Sequence, residues 1–276
     1  MKMYKGFNND MTCRGLKYEE GKEYKENEAN LCAKGFHACE NPVDCLGYYP
    51  PSNSVYREVE LNEVSEETSF DSKRVGKEIK IGAEIDVANM IKIAFDYAKS
   101  NCTNDKSGGN MSALNGGDWS ALNGGNMSAL RGGDRSALNG GNGSALNGGD
   151  WSALNGGYSS ALNGGDWSAL RGGNMSALNG GDWSALNGGD RSALNGGDGS
   201  ALNGGNRSAL NGGYRSVVYG GEGAKVKAGK HSVLAIQFWK HDEFVKIVFA
   251  EVDGEKIKED TWYKLDENGE FMEVEE

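Results

Sequence analysis

From Leu114 to Leu210 a leucine returns at every eighth position, and Val218 continues the series. Around it the unit is Gly-Gly-x-x-Ser-Ala-Leu-Asn, with the fourteenth copy, GGYRSVVY, ending at Tyr219 and two eroded copies, GGEGAKVK and AGKHSVLA, behind it. Two adjacent glycines per unit would cost a helix roughly 2 kcal/mol each time against alanine. A solvated linker has no use for so regular an apolar position. A repeat this strict therefore predicts a solenoid, in which each coil buries its apolar residues against the next. Eight residues are too few to close around a side chain. Sixteen give two strands of about five residues and two Gly-Gly turns, with rungs ~4.8 Å apart.

The columns support sixteen. After Gly-Gly, alternate octads carry Asp118, Asp134, Asp150, Asp166 and Asp182, while the others mostly carry Asn, beginning with Asn110. At the next position Trp119, Arg135, Trp151, Trp167 and Trp183 fall in the first set, and Met111, Met127 and Met175 in the second. Two octads per coil, on two chemically different sides, explain both. A position that accepts Trp, Met, Arg, Ser and Gly cannot lie in a close-packed core, so it faces out, as does the Ala two residues later. Ser and Leu then point inward. The Asn before Gly-Gly suits a turn, because Asn and Gly tolerate positive φ. Fourteen octads make seven coils, a rod roughly 34 Å long.

The flanks read differently. Before the repeat, short strands are expected near Tyr4–Phe7, Leu16–Tyr18, Gly35–Ala38, Val55–Leu61 and Val75–Ile85, then a helix over Val87–Lys99 with Asp86 as its N-cap. Ser100–Ser107 reads as a polar connector. After the repeat, strands are expected at His231–Trp239, Phe244–Val252, Lys256–Ile257, Thr261–Leu265 and Phe271–Val274, with Asp253-Gly254 and Asn268-Gly269 as hairpin turns. A solenoid end exposes unpaired backbone, so these strands would cap the rod. The expected architecture is mainly β: a two-sheeted β-solenoid of 16 residues per coil, flanked by a small N-terminal α+β domain and a C-terminal β cap. The boundaries fall at residues 1–106, 107–223 and 224–276.

Composition narrows the function. The net charge of -11 disfavours nucleic acid and anionic membranes. Residues 107–220 hold seven Asp and six Arg, so the rod itself is nearly neutral and a poor phosphate mimic. Nothing approaches the 18 or more apolar residues of a membrane span, and MKMYKGFNNDMTC lacks the apolar stretch of an export signal. Five cysteines, Cys13, Cys32, Cys39, Cys45 and Cys102, then read as reduced thiols in a cytoplasm.

The segments YKGFNNDMTCRGLKYEEGKEY (4–24), GFHACENPVDCLGYYP (35–50) and TWYKLDENGEFMEV (261–274), bracketing the octads, resemble a family of uncharacterised phage and prophage proteins. That resemblance implies an N-terminal domain of unknown function, a variable run of octads, a short C-terminal β segment and no established activity.

Against this frame the candidate sites are few. Trp119, Arg135, Trp151, Trp167 and Trp183 make a strip some 20 Å long of the residue types that dominate binding hot spots. They would take a partner, or stack on one another and stiffen the rod. The Asp column, Asp118, Asp134, Asp150, Asp166 and Asp182, is a weaker binding candidate. Neighbouring carboxylates repel by about 1 kcal/mol, so arginines, cations or hydration must offset them. The octad does not reproduce the arrangement of calcium-binding β-rolls, and Cys32, Cys39, Cys45 and His37 lack zinc-site spacing, so no metal or cofactor is expected. Cys13-Arg14-Gly15, Gly35-Phe36-His37 and Pro42–Tyr49 loosely resemble the motif order of ADP-ribosyltransferase folds, with Glu58 or Glu60 as the nearest candidate for the required carboxylate. The expectation is a non-enzymatic phage or prophage accessory protein, residing in the bacterial cytoplasm, that binds and inhibits a host defence-related protein through a solenoid face. A homodimeric or virion-associated structural protein, and an ADP-ribosyltransferase-like enzyme, are the alternatives.

Overall fold

The computed structural model describes residues 1–66, 71–240 and 243–275. The chain is mainly β, with a parallel solenoid of about eight turns between a small N-terminal domain and C-terminal strands. Its two walls are each a ten-stranded sheet. One contains the strands of the tryptophan octads, such as Ala137–Asn139, Ala153–Asn155 and Ala169–Arg171, and is called the Trp sheet here. The other contains Ala129–Arg131, Ala145–Asn147 and Ala161–Asn163, and is called the Met sheet. Register is strict. Leu122 lies over Leu138, Leu138 over Leu154 and, on the other wall, Leu130 over Leu146. Every leucine from Leu122 to Leu210 is buried, and the two walls share one core. The serines are buried as well; Ser136 Oγ donates to the Gly117 carbonyl of the coil below at 3.2 Å.

The turns differ from expectation. Strands are mostly three residues long, Ala-Leu-Asn, and not five. The glycine pairs do not supply the positive φ. That falls on the variable residue, with Trp119, Met127, Trp151 and Arg191 all near +55°. The glycines are needed for space. A Cβ on Gly148 would stand 2.7 Å from that of Ser152, and one on Gly165 would stand 2.0 Å from Asp150 Oδ1. Close approach, of the turn to its own Ser and Leu at the first glycine and to the neighbouring coil at the second, rather than backbone handedness, fixes Gly-Gly.

The solenoid also starts earlier than the sequence suggests. Asn104–Ser107, read as connector, is the first rung of the Trp sheet and pairs in parallel with Ser120–Asn123. At the far end Val233–Lys240 continues the Trp sheet and turns back as Glu243–Glu251. Tyr263–Leu265 adds antiparallel to the Met sheet and pairs with Phe271–Glu273, as Asn268-Gly269 predicts. Lys256–Ile257 is no strand; instead Asp253 Oδ1 accepts the amides of Glu255, Lys256 and Ile257 in a tight turn. Val252, Ile257 and Tyr263 seal the leucine core.

In the N-terminal domain the strands Lys2–Asn8, Glu23–Lys25, Phe36–Cys39, Ser54–Val64 and Lys73–Glu84 form one sheet. Lys73–Glu84 bonds to Phe36–Cys39 on one side and Ser54–Val64 on the other, so the sheet closes on itself. Helix α1, Val87–Asn101, starts at Asp86, whose carboxylate accepts the Asn89 amide at 2.8 Å. Its buried stripe, Met90, Ile91, Ala94 and Ala98, is what the helical spacing predicts. This stripe does not turn wholly into its own domain; it lies on the solenoid.

Candidate functional site

The tryptophan octads do stack. Trp151 and Trp167 are 5.1 Å apart and nearly parallel, at 3°; Trp167 and Trp183 are 4.6 Å apart at 21°. The Arg135 guanidinium sits between Trp119 and Trp151, 4.9 Å from each ring. Five side chains from five coils thus form one unbroken pile.

The pile is not the exposed strip that strand alternation suggests. Trp119 alone in this column is more than a third exposed, at 39%. Trp167 and Trp183 pack against Val43, Leu46 and Met90 of the N-terminal domain. Gly47, at the end of the 3-10 turn Pro42–Gly47, lies so close that a Cβ there would be 3.1 Å from Trp167 Nε1. Beside the pile, α1 runs along the alanine column of the same sheet, from Ala137–Asn139 to Ala201–Gly204. Fifteen helical residues span ~22 Å, which matches four rung spacings of ~4.8 Å. Ala153, Ala169 and Ala185 are buried beneath it. The solenoid thus carries its own domain on this wall, a cover that the sequence pattern of the repeat alone does not disclose.

The Asp column has a structural partner. Asp118 Oδ1 accepts the amide of Asp134 at 3.0 Å, Asp134 that of Asp150 at 3.0 Å, and so on through Asp166 and Asp182. Asn110 and Asn126 do the same on the other side. Each carboxylate is therefore held by a backbone N–H one coil away, and that bond helps offset the repulsion along the column.

On the Met sheet the same Ala-Leu-Asn strand is open. Ala129, Ala145, Ala161, Ala177 and Ala193 are exposed, and a shallow trough of about 910 Å3 follows them to Trp262. One rim carries Asn163, Asn179, Asn195 and Asn211, joined side chain to side chain at 2.7–2.8 Å. Met111, Met127 and Met175 stand exposed on the turns beside it.

A second cavity, of about 810 Å3, lies in the N-terminal domain. It gathers Cys13-Arg14, Gly35-Phe36-His37 and Tyr48-Tyr49, three strings that the sequence singles out. His37 Nε2 accepts the Cys32 amide at 2.9 Å, which leaves the ring proton to Nδ1. Burial, with Lys5, Arg14 and Lys73 nearby, holds this imidazole below its ordinary pKa. Tyr49 Oη donates to Cys13 Sγ at 2.8 Å, and burial followed by this contact raises the phenol. Lys73 donates to Tyr48 Oη at 2.7 Å; burial, followed by the hydrogen bond to Asp71, pushes that phenol up to about 12. Glu58 is drawn into an ion pair with Lys2 at 2.7 Å, and neither Glu58 nor Glu60 lines the cavity. The cysteines are separately engaged or exposed: Cys45 Sγ donates to the Tyr4 carbonyl at 3.4 Å, while Cys32 faces solvent.

Residues 1–93 match a domain of unknown function, DUF7666. The match spans the closed sheet and the first part of α1, so the cavity lies within the DUF7666-like domain and the solenoid lies beyond it. No curated protein and no solved structure matches the chain. Among the described residues no helix is long and apolar enough to cross a membrane.

Proposed function

We propose that this chain acts by binding rather than by catalysis, as a phage or prophage accessory protein whose solenoid docks on a host protein through the Met sheet. One observation carries the reading. The two walls present the same Ala-Leu-Asn strand; one is buried under α1 and the other is open along its alanine column from Ala129 to Ala193. The covered wall also indicates the chemistry of the occupant: an amphipathic helix with a stripe of small and aliphatic residues, like Met90, Ile91, Ala94 and Ala98. The trough is flat and nearly neutral, which suits such a helix and not nucleic acid. Inhibition of a bacterial defence protein in the host cytoplasm is the use that the phage-type sequence strings suggest. The tryptophan pile, in this reading, stiffens the rod and seats the DUF7666-like domain. An enzymatic role has less support, because neither candidate for the transferase carboxylate, Glu58 or Glu60, lines the cavity, and Glu28, which does, is paired with Lys34.

The test is affinity for a partner purified from host cells, measured with wild type and with Ala161→Asp and Ala177→Asp, both on the open face. A loss of ten-fold or more with each, and no change with Trp119→Ala, supports the proposal. Unchanged affinity rejects it. Light scattering covers the other occupant: a dimer abolished by Ala161→Asp means that the Met sheet pairs two copies of this chain, and docking on a host protein is then excluded.

A further inference from the structure

We infer that the cavity of the DUF7666-like domain is a binding site for a small nucleoside phosphate, its anionic group held by Lys5, Arg14 and Lys73 and its flat base by the aromatic walls.

The charge pattern comes first. In a chain of net charge -11, the cavity is lined by Lys5, Arg14, Lys34 and Lys73 against Glu26 and Glu28, a balance of +2 with His37 neutral. One of the carboxylates is already spent, since Lys34 pairs with Glu28 at 3.0 Å. Lys5, Arg14 and Lys73 form no ion pair with a carboxylate among the described residues. Their direct hydrogen-bond partners are neutral, with Asp71 linked to Lys73 through the Tyr48 hydroxyl. Lys5 as a residue is only 7% exposed, and its ammonium donates to the His37 carbonyl at 2.9 Å. Arg14 reaches the Ala33 carbonyl at a long 3.5 Å, and Lys73 reaches the Tyr48 hydroxyl. A buried ammonium has three donors and a guanidinium five, so most of this donor capacity points at no protein acceptor. Lys5 is buried and the other two cations are accessible, so the three give the cavity unneutralised donors that an entering anion would satisfy.

The backbone is shaped to the same end. Arg14 and Cys32, both non-glycine, sit in the left-handed region at φ +49° and +63°, and Gly35 at +91°. Left-handed residues of this kind store strain of order 1–3 kcal/mol and concentrate where a ligand is held. Here they bend two loops over one space. Cys32 turns its amide onto His37, and the Arg14 guanidinium reaches the Ala33 carbonyl.

Size and wall chemistry give the rest of the ligand. A lone phosphate would fill a small part of 810 Å3, which is within the range of sites for whole small molecules. Tyr18, Phe36, Tyr48 and Tyr49 line it, and Lys73 already lies 4.4 Å over the Tyr48 ring. Rings beside cations form the surface on which a base stacks and a phosphate is neutralised. Nothing in this inference depends on the Met sheet.

The experiment is calorimetric titration of the full chain with AMP, ADP, UMP, adenosine and inorganic phosphate. Saturable binding of at least one nucleotide is expected, at least ten-fold tighter than adenosine or phosphate alone. It should weaken ten-fold or more in Arg14→Gln and in Lys73→Gln. Both side chains are accessible enough for the fold to survive their loss, which circular dichroism checks. Absence of saturable binding of all three nucleotides up to millimolar concentration overturns the inference. Equal affinity for adenosine and AMP, or nucleotide binding that both variants leave intact, overturns it too. None of these results alters the expected behaviour of Ala161→Asp, so failure here is separable from failure of the docking proposal.

Discussion

Replacing Gly165 by Ala tests why the repeat is written with paired glycines. Gly165 has an ordinary negative-side backbone, so any penalty comes from space. A Cβ there would lie 2.0 Å from Asp150 Oδ1 and 2.9 Å from the Asp150 amide nitrogen. Gly173 occupies the matching place over Tyr158, where the nearest atoms are backbone at 2.9 Å and no carboxylate intervenes. Both substitutions crowd the coil below, a cost of about 1–3 kcal/mol for overpacking. Both recover roughly 0.4–1 kcal/mol through a less flexible unfolded chain. Only Gly165→Ala must also displace the Asp150 carboxylate from the Asp166 amide, a 3.0 Å bond worth ~1.5–3 kcal/mol to a charged acceptor. The expected difference between the two variants is therefore about 2 kcal/mol. Urea unfolding followed by the tryptophan stack measures it, and in an Asp150→Ser background, where that bond is already gone, Gly165→Ala should cost no more than Gly173→Ala does. Equal destabilisation by Gly165→Ala and Gly173→Ala would show that the side-chain ladder plays no part in excluding a Cβ.

Further expectations concern the domain interface and pH. Ala169→Asp places a charge under α1 and should cost more than 3 kcal/mol, whereas Ala161→Asp on the open wall should stay within ~0.5 kcal/mol; similar urea midpoints would contradict the covered and open assignment. Trp167→Ala removes the ring beneath Gly47 and between two indoles, and should destabilise by about 2–4 kcal/mol while exposing α1 to limited proteolysis; unchanged proteolysis would separate the stack from domain seating. Asp44, buried under Ser72 and Asn41, is raised to about 6, chiefly by burial. Its folded state holds the proton more tightly than the unfolded chain, so stability is greatest below pH 4, falls between about 4 and 6, and stays low above. The loss is on the order of 3 kcal/mol. Asp44→Asn should flatten that slope in urea midpoints taken from pH 4 to 7, and an unaltered slope would assign it to another group.

Much of the solenoid was legible because a repeat reports its own geometry. Leu at every eighth position and Trp at alternate octads fixed two walls and sixteen residues per coil, as the pairing of Leu122 with Leu138 bears out. Helix α1 was legible from its spacing and from Asp86. What strand alternation could not show is which outward positions are covered. Ala153 and Ala145 have the same neighbours in sequence, yet one is buried and one exposed, because the cover comes from residues 87–101. The same omission made the tryptophans look available. The turn was misjudged for a local reason: Trp and Arg are poor candidates for positive φ, yet the Asp or Asn bond to the next coil and stacking hold them there. The N-terminal cavity was half visible. Arg14 and His37 stood out in the sequence, but Lys5 and Lys73 join them only through pairing of distant strands.

The contact of α1 with five successive rungs restricts how a protein of this design changes length. Removing or adding sixteen residues preserves which wall each column occupies, and the terminal strands still meet the sheet they complete. A change of eight would transpose the walls beyond it, sending tryptophan to the methionine edge and setting the closing hairpins on the wrong sides. Growth is therefore confined to whole turns, and shortening meets a floor where the helix outruns its track.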